Sequence, residues 1–248
     1  MGKKLKRLHQ KTNNNNHNST KQKENNIIKL NDYKKERKKE VDIIPRNLNQ
    51  ETLLDSLNDS NKKIIFSIGP AGSGKTLIST LWGIKLLKSN KIKKLVITRP
   101  NVAVDDKDIG YLPGDVLSKM TPWMLPIMDI LEEFYSPQEI NTLVEEKIIE
   151  ICPIAYIRGR TFKNSYIIID EAQGTTPNSM KSILTRIGEN SKMVVTGDIN
   201  QSDLGKDNGL SDLINRFVPK DSLDIIKFET NDVERSEVVK DILNLYNE

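Results

Sequence analysis

Gly69-Pro70-Ala71-Gly72-Ser73-Gly74-Lys75-Thr76 fits the pattern G-x-x-x-x-G-K-[ST], and its flanks give the pattern its meaning. Before it runs the apolar stretch Ile64 to Ile68, which reads as a buried strand, and after it an amphipathic stretch of helical length at 75–89. A strand therefore feeds a glycine-rich turn that opens a helix. Such a turn can fold tightly around a polyphosphate, so that backbone N–H groups and a helix N-terminus point at the anion. In that arrangement Gly69, Pro70, Ala71, Gly72, Ser73 and Gly74 form a cradle, Lys75 reaches the outer phosphates and Thr76 ligates Mg²⁺.

Working outward, the same alternation recurs. Short apolar runs at Leu95–Thr98, Ile148–Ile151, Tyr166–Ile169, Met193–Thr196 and Asp224–Phe228 are apolar on both faces, as buried parallel strands are. Between and around them lie predicted helices near 50–58, 114–134, 137–146, 177–187, 208–217 and 234–246, with Pro177 at a first-turn position. Strands alternating with helices imply right-handed crossovers and an α/β, mainly parallel, doubly wound sheet with helices on both faces. Ligands of such sheets sit at the carboxyl ends of the strands. Two further motifs fall at those ends. Asp170 and Glu171 close the run Tyr166 to Ile169; Asp170 is placed to hold Mg²⁺ through its water shell, and Glu171, diverging from it, to orient or deprotonate an attacking water. After Met193–Thr196 comes the polar loop Gly197 to Gln201, where the neutral amide of Gln201 can register the terminal phosphate.

The chain of 248 residues carries a net charge of +4, unevenly distributed. Residues 1–40 hold 13 basic and 4 acidic side chains, leaving 25 basic and 30 acidic for the rest. That first segment has too few spaced apolar residues to offset its ordering entropy, so residues 1–42 read as a disordered basic tail and 43–248 as a single domain. The tail reads either as an arm that attracts nucleic-acid phosphates or as a solubilising extension. The single Cys152 excludes an internal disulfide framework, and the absence of 18 consecutive apolar residues argues against a membrane span; both fit a cytoplasmic location. The two histidines, His9 and His17, fall in the tail, which leaves the folded body without histidine acid–base chemistry. Trp82 and Trp123 read as core packing, and Cys152 as a small buried apolar residue.

Seven strings, read together, resemble a known family: Gly69 to Thr76, Thr98-Arg99-Pro100, Gly110 to Asp115, Tyr156 to Thr161, Asp170-Glu171-Ala172-Gln173, Leu184 to Gly188 and Thr196 to Gln201 occur in the order seen in the PhoH family. The resemblance covers about residues 45–248. It implies a RecA-like P-loop NTPase similar to the first motor domain of superfamily 1 helicases, with ATP and Mg²⁺ as ligands. It also implies a hexameric, ring-shaped homo-oligomer acting on single-stranded RNA or other nucleic acid, and a Gln50 that reads the adenine edge. Gly174 and Ser236 depart from the family's usual Asn and His, which touches contacts around the acids and around Arg235.

Phosphoryl transfer calls for a cation beyond Lys75, and the candidates are Arg99, Arg158, Arg160, Arg186 and Arg235. With no room for a second motor domain, Arg158 or Arg160 is expected to reach the ATP of a neighbouring subunit. Competing readings are a P-loop kinase for a small molecule, disfavoured because Glu171 and Gln201 suit water, and a nucleotide-gated binding module with little turnover.

Overall fold

The computed structural model describes residues 40–100, 116–202, 205, 208–234 and 238, and within 116–122 the backbone alone. Six strands form one sheet: β1 Ile64–Ile68, β2 Lys94–Thr98, β3 Ile149–Ile151, β4 Ser165–Ile169, β5 Lys192–Gly197 and β6 Leu223–Lys227. Their order across the sheet is β3-β2-β4-β5-β1-β6, and every neighbouring pair is parallel. Helix α1 Leu48–Asn58 precedes β1, and helices α2 Lys75–Lys88, α3 Val116–Glu132, α4 Pro137–Glu145, α5 Pro177–Leu184 and α6 Gly209–Asn215 lie in the connections between strands. The expected α/β fold is thus present, with all six expected strands at their expected places.

Alternation along each strand explains why both faces are dry. On β4, Tyr166 and Ile168 enter one apolar cluster while Ile167 and Ile169 enter the other; on β5, Val194 takes the first and Met193 and Val195 the second. The first cluster lies under α1–α4, with Leu53, Ile84, Ile127 and Ile140, and the second under α5 and α6, with Met180, Ile183 and Leu210. A strand buried on both sides must be apolar throughout, which is why these runs carry no polar alternation. Val41 is buried in the first cluster, so packing begins two residues before the boundary at 43 read from the sequence.

Local signals set the helix ends. Asn47 caps α1 by accepting from Gln50 N–H, Ser136 and Glu139 form a reciprocal capping box on α4, and Thr176 caps α5, whose first residue is Pro177. Helix α5 ends at Leu184, three residues short of the sequence expectation, because Ile187 pairs with Phe162 as an isolated bridge and Gly188 N–H donates to Phe162 O. At the far end of α1 the Lys192 ammonium, from the first residue of β5, donates to the carbonyls of Leu57 at 2.5 Å and Asp59 at 2.7 Å. It thereby satisfies acceptors that a helix terminus leaves open.

Among the described residues no helix is long and apolar enough to cross a membrane. The expected tail through residue 39, all but residues 234 and 238 of the expected helix near 234–246, the string Gly110 to Asp115, Arg235, Ser236 and both histidines lie outside the described residues. Trp82 packs against the first cluster, and Cys152 is buried in the second, where burial pushes its thiol up to about 12.

Candidate nucleotide site

The loop after β1 turns on glycines. Gly69, Gly72 and Gly74 have φ of 143°, 84° and 87°, in the region that side chains disfavour. Space forbids a side chain as well: a Cβ on Gly69 would lie 2.4 Å from Phe228 O, and one on Gly74 2.9 Å from Gln50 Nε2. The loop is laced to its surroundings by Gly69 N–H donating to Gly197 O and Glu234 N–H donating to Gly72 O. Helix α2 opens at Lys75, so its first-turn amides face the loop's concave side.

Strands β1 and β4 are not neighbours; β5 runs between them. Two strand spacings of roughly 4.8 Å separate the loop from the acids, and the residues at the start of α2 bridge that gap. Thr76 Oγ1 donates to Asp170 Oδ1 at 2.6 Å. Thr196, near the end of β5, donates to the same oxygen at 2.6 Å. Asp170, 3% exposed, is therefore an acceptor shared by two hydroxyls. Lys75 is also buried; its ammonium donates to Pro70 O at 2.6 Å and Ser73 Oγ at 3.2 Å. Burial lowers the Lys75 pKa below its ordinary value, against the opposing pull of Asp198, Glu171 and Asp170.

One cavity of about 280 Å³ gathers Ala71, Gly72, Gly74, Lys75, Thr76, Asp170, Glu171, Asp198 and Gln201 on its walls, and α3 closes a side with Pro126 and Ile130. These groups fit a polyphosphate with a hard cation. A buried ammonium and a helix N-terminus face the anion, and a carboxylate and a hydroxyl side by side suit an ion that keeps most of its waters. Among the described residues no group of three or more His, Cys, Asp or Glu is placed to hold a metal ion.

Glu171 leaves the strand in the left-handed region, with φ 54° and ψ 44°, which swings its side chain away from that of Asp170. Its Oε1 lies 3.1 Å from Arg99 Nη2, and its Oε2 accepts from Gln173 Nε2 at 2.5 Å. Gln173 reaches further: its Oε1 accepts from Asp198 N–H at 3.1 Å and its carbonyl from Ser202 Oγ. A Cβ on Gly197 would lie 2.7 Å from that Gln173 oxygen, so the glycine admits the bridge between the acids and the loop after β5.

The remaining expected residues fall elsewhere. Gln50 is buried against the outside of the phosphate loop, donating to Ser73 O at 3.1 Å and accepting from Arg46 N–H at 2.9 Å. Arg160 is not brought to the cavity: it forms a two-pronged pair with Glu150 on β3, one prong at 2.9 Å, and lies over the Phe162 ring. To reach a neighbouring subunit's nucleotide, Arg160 would have to leave Glu150. Arg158 is exposed, donates to Ser179 Oγ at 2.9 Å and does not line the cavity of its own chain. Arg186 bonds within its own neighbourhood, to Ser182 O and Thr185 Oγ1. Thr196, Asp198, Gln173 and the Arg99–Glu171 pair were not singled out by sequence reasoning. They lay within strings that carried the family resemblance, and Arg99 was among the candidate arginines, but no local pattern stated these pairings.

A family model described as "PhoH-like protein" matches residues 42–247. The PhoH-like protein of Bacillus subtilis (strain 168) is 41% identical over 185 residues, covering 74% of this chain and 58% of that protein. Protein PhoH of Escherichia coli (strain K12) is 38% identical over 208 residues, covering 82% and 58%. The chain thus spans less than two thirds of the length of these relatives. A solved structure titled "Crystal structure of Pif1 helicase from Candida albicans" aligns with 82% of this chain and 44% of that one, at 15% identity and a TM-score of 0.39, too loose a likeness to bear on function. With the phosphate loop, the parallel sheet and the family match over 42–247 in agreement, this chain, a P-loop NTPase by fold, belongs to the PhoH family.

Proposed function

We propose that the protein hydrolyses ATP and uses the cycle to move along or remodel nucleic acid, with single-stranded RNA as the leading substrate and a homo-oligomeric, hexameric ring as the working form. One observation carries the hydrolytic half: a single cavity brings together Lys75, Thr76, Asp170, Glu171 and Gln201, residues from three separate segments of the chain. Lys75 and the amides opening α2 bind the outer phosphates. Thr76 and Asp170 would hold Mg²⁺, which supplies neutralisation of phosphate oxygens when bound. Glu171 orients the attacking water and accepts its proton; Gln201 donates to the terminal phosphate and senses its departure. In this reading Gln50, wedged against Ser73, reads the adenine edge from behind the loop, and Arg158, or Arg160 once released from Glu150, completes the site of a neighbouring subunit. Arg235 is a second such candidate.

Phosphate release by the purified full-length chain, alone and with single-stranded RNA, single-stranded DNA or duplex, tests the reading. Expected are RNA-stimulated release, its loss in Lys75→Ala, and a fall of about 10² to 10³ in Glu171→Gln with ATP binding retained. Release without nucleic-acid dependence would remove the motor. An ATP-induced rise in melting temperature with no release under any condition would leave only a nucleotide-gated binding module.

A further inference from the structure

We propose that Arg99 is a positioning residue that latches the Glu171 carboxylate in an idle setting, and that release of this latch through α3 switches on hydrolysis. The inference rests on the hydrolytic reading above. Its starting point is that both oxygens of Glu171 are engaged within the chain: Oε1 with Arg99 at 3.1 Å and Oε2 with Gln173 at 2.5 Å. Each oxygen keeps a lone pair free, but swinging the carboxylate toward a water beside the terminal phosphate would strain or break at least one of these contacts.

The two holders differ in what they are tied to. Gln173 belongs to the 3₁₀ turn directly after Glu171 and bonds to Asp198 N–H, so it moves with the site itself. Arg99 arrives from the end of β2, and its other prong, Nη1, donates to the Trp123 carbonyl of α3 at 2.7 Å. The next turns of α3 place Pro126 and Ile130 on the wall of the nucleotide cavity. One guanidinium therefore connects the general base to a helix that a bound nucleotide would touch. Any displacement of α3 pulls on Arg99 and thereby on Glu171.

The strength of the pair suits a latch. The Arg99 side chain is 22% exposed and that of Glu171 34%, so water reaches the pair. An ion pair in that setting is weak enough to open and close, whereas a dry one would be fixed. Glu171 also holds a left-handed backbone that a residue with a Cβ disfavours, so its side-chain direction is imposed by its surroundings and changes when they change.

The test is steady-state ATP hydrolysis by full-length Arg99→Gln and Arg99→Lys against the parent chain, with and without single-stranded RNA. In Arg99→Gln the RNA-free kcat is expected to rise about tenfold, the scale of one lost charge-assisted hydrogen bond. KM for ATP should stay within about twofold, and stimulation by RNA should shrink. Arg99→Lys, which keeps the charge but cannot bridge Glu171 and Trp123 together, should move the same way by less, and serves if the first variant does not fold. A kcat that is unchanged or lower overturns the latch, as does a raised KM at constant kcat, which would make Arg99 a phosphate ligand. In Arg99→Gln/Glu171→Gln hydrolysis should be as low as in Glu171→Gln alone; a fast double variant overturns both the latch and the role of Glu171. If the parent chain responds to RNA while Arg99→Gln is no faster without it, the latch falls and the ATPase reading stands. If no form releases phosphate, both fall.

Discussion

Asp170 shows how little space separates a structural contact from a chemical one. A single carboxylate oxygen accepts from Thr76 on α2 and Thr196 on β5, so the residue proposed to hold the cation also locks the loop to the sheet. The sequence made Asp170, Glu171 and Thr76 legible because each has a fixed place in a short string. Thr196 and Asp198 were not legible as partners, since a bond between neighbouring strands depends on register, which no local pattern states. Arg160 illustrates the same limit in reverse. Its string matched a family motif, but only the fold reveals Glu150 and Lys94 beside it. Hydrogen bonding from Arg160, helped by Lys94 and opposed by burial, lowers the Glu150 carboxyl from 4.5 to about 2. The unfolded chain thus takes up this proton more readily than the folded one. The stability contributed is full above the unfolded value of 4.5 and drains away as pH falls toward about 2. Melting temperatures between neutral pH and about pH 3 should therefore drop less steeply in Glu150→Gln than in the parent, from a lower starting point.

Helix ends carry more of the site than helix bodies do. The cap on α1 is one case: Asn47 accepts from Gln50 N–H at 2.9 Å, and its amide donates to Asp232 O at 3.3 Å, tying α1 to the 3₁₀ turn Thr230–Asp232. Because Gln50 leans on Ser73, this cap also sets how firmly the phosphate loop is backed. Asn47→Ala should cost about 1 kcal/mol, read as a fall of about 2–4 °C in melting temperature. Asn47→Ser, which keeps an acceptor, should recover most of it. All six strands were readable as apolar runs because parallel strands buried twice have no polar face to disguise them. Helix termini were less so. Leu48 and Leu184 end their helices where distant partners, Asp232 for the first and Phe162 for the second, take over the backbone or its cap.

At the level of the molecule, the candidate cavity gathers acids and the phosphate loop, and among the described residues no arginine lines it. Arg99 is held at Glu171, Arg160 at Glu150, and Arg158 stands exposed at the start of α5. In the proposed ring, one subunit's Arg158 would serve the next subunit's ATP. Such sharing predicts that mixing Lys75→Ala subunits with Arg158→Ala subunits restores part of the activity each lacks alone, because mixed rings contain junctions with an intact loop facing an intact arginine. Activity no higher than either parent would point to closed, self-sufficient sites.

Strand β5 has a mechanical consequence. Its last residues grip Asp170 and the phosphate loop, and its first, Lys192, grips the end of α1. A fully extended strand of this length spans about 17 Å and stretches very little. It is a strut, fastened at both ends and hemmed in by β4 and β1. If the protein works as the motor proposed above, force developed at the phosphate loop would be delivered to the opposite rim of the sheet without being absorbed in a loop, and the rim at the end of α1 is where a load would be harnessed.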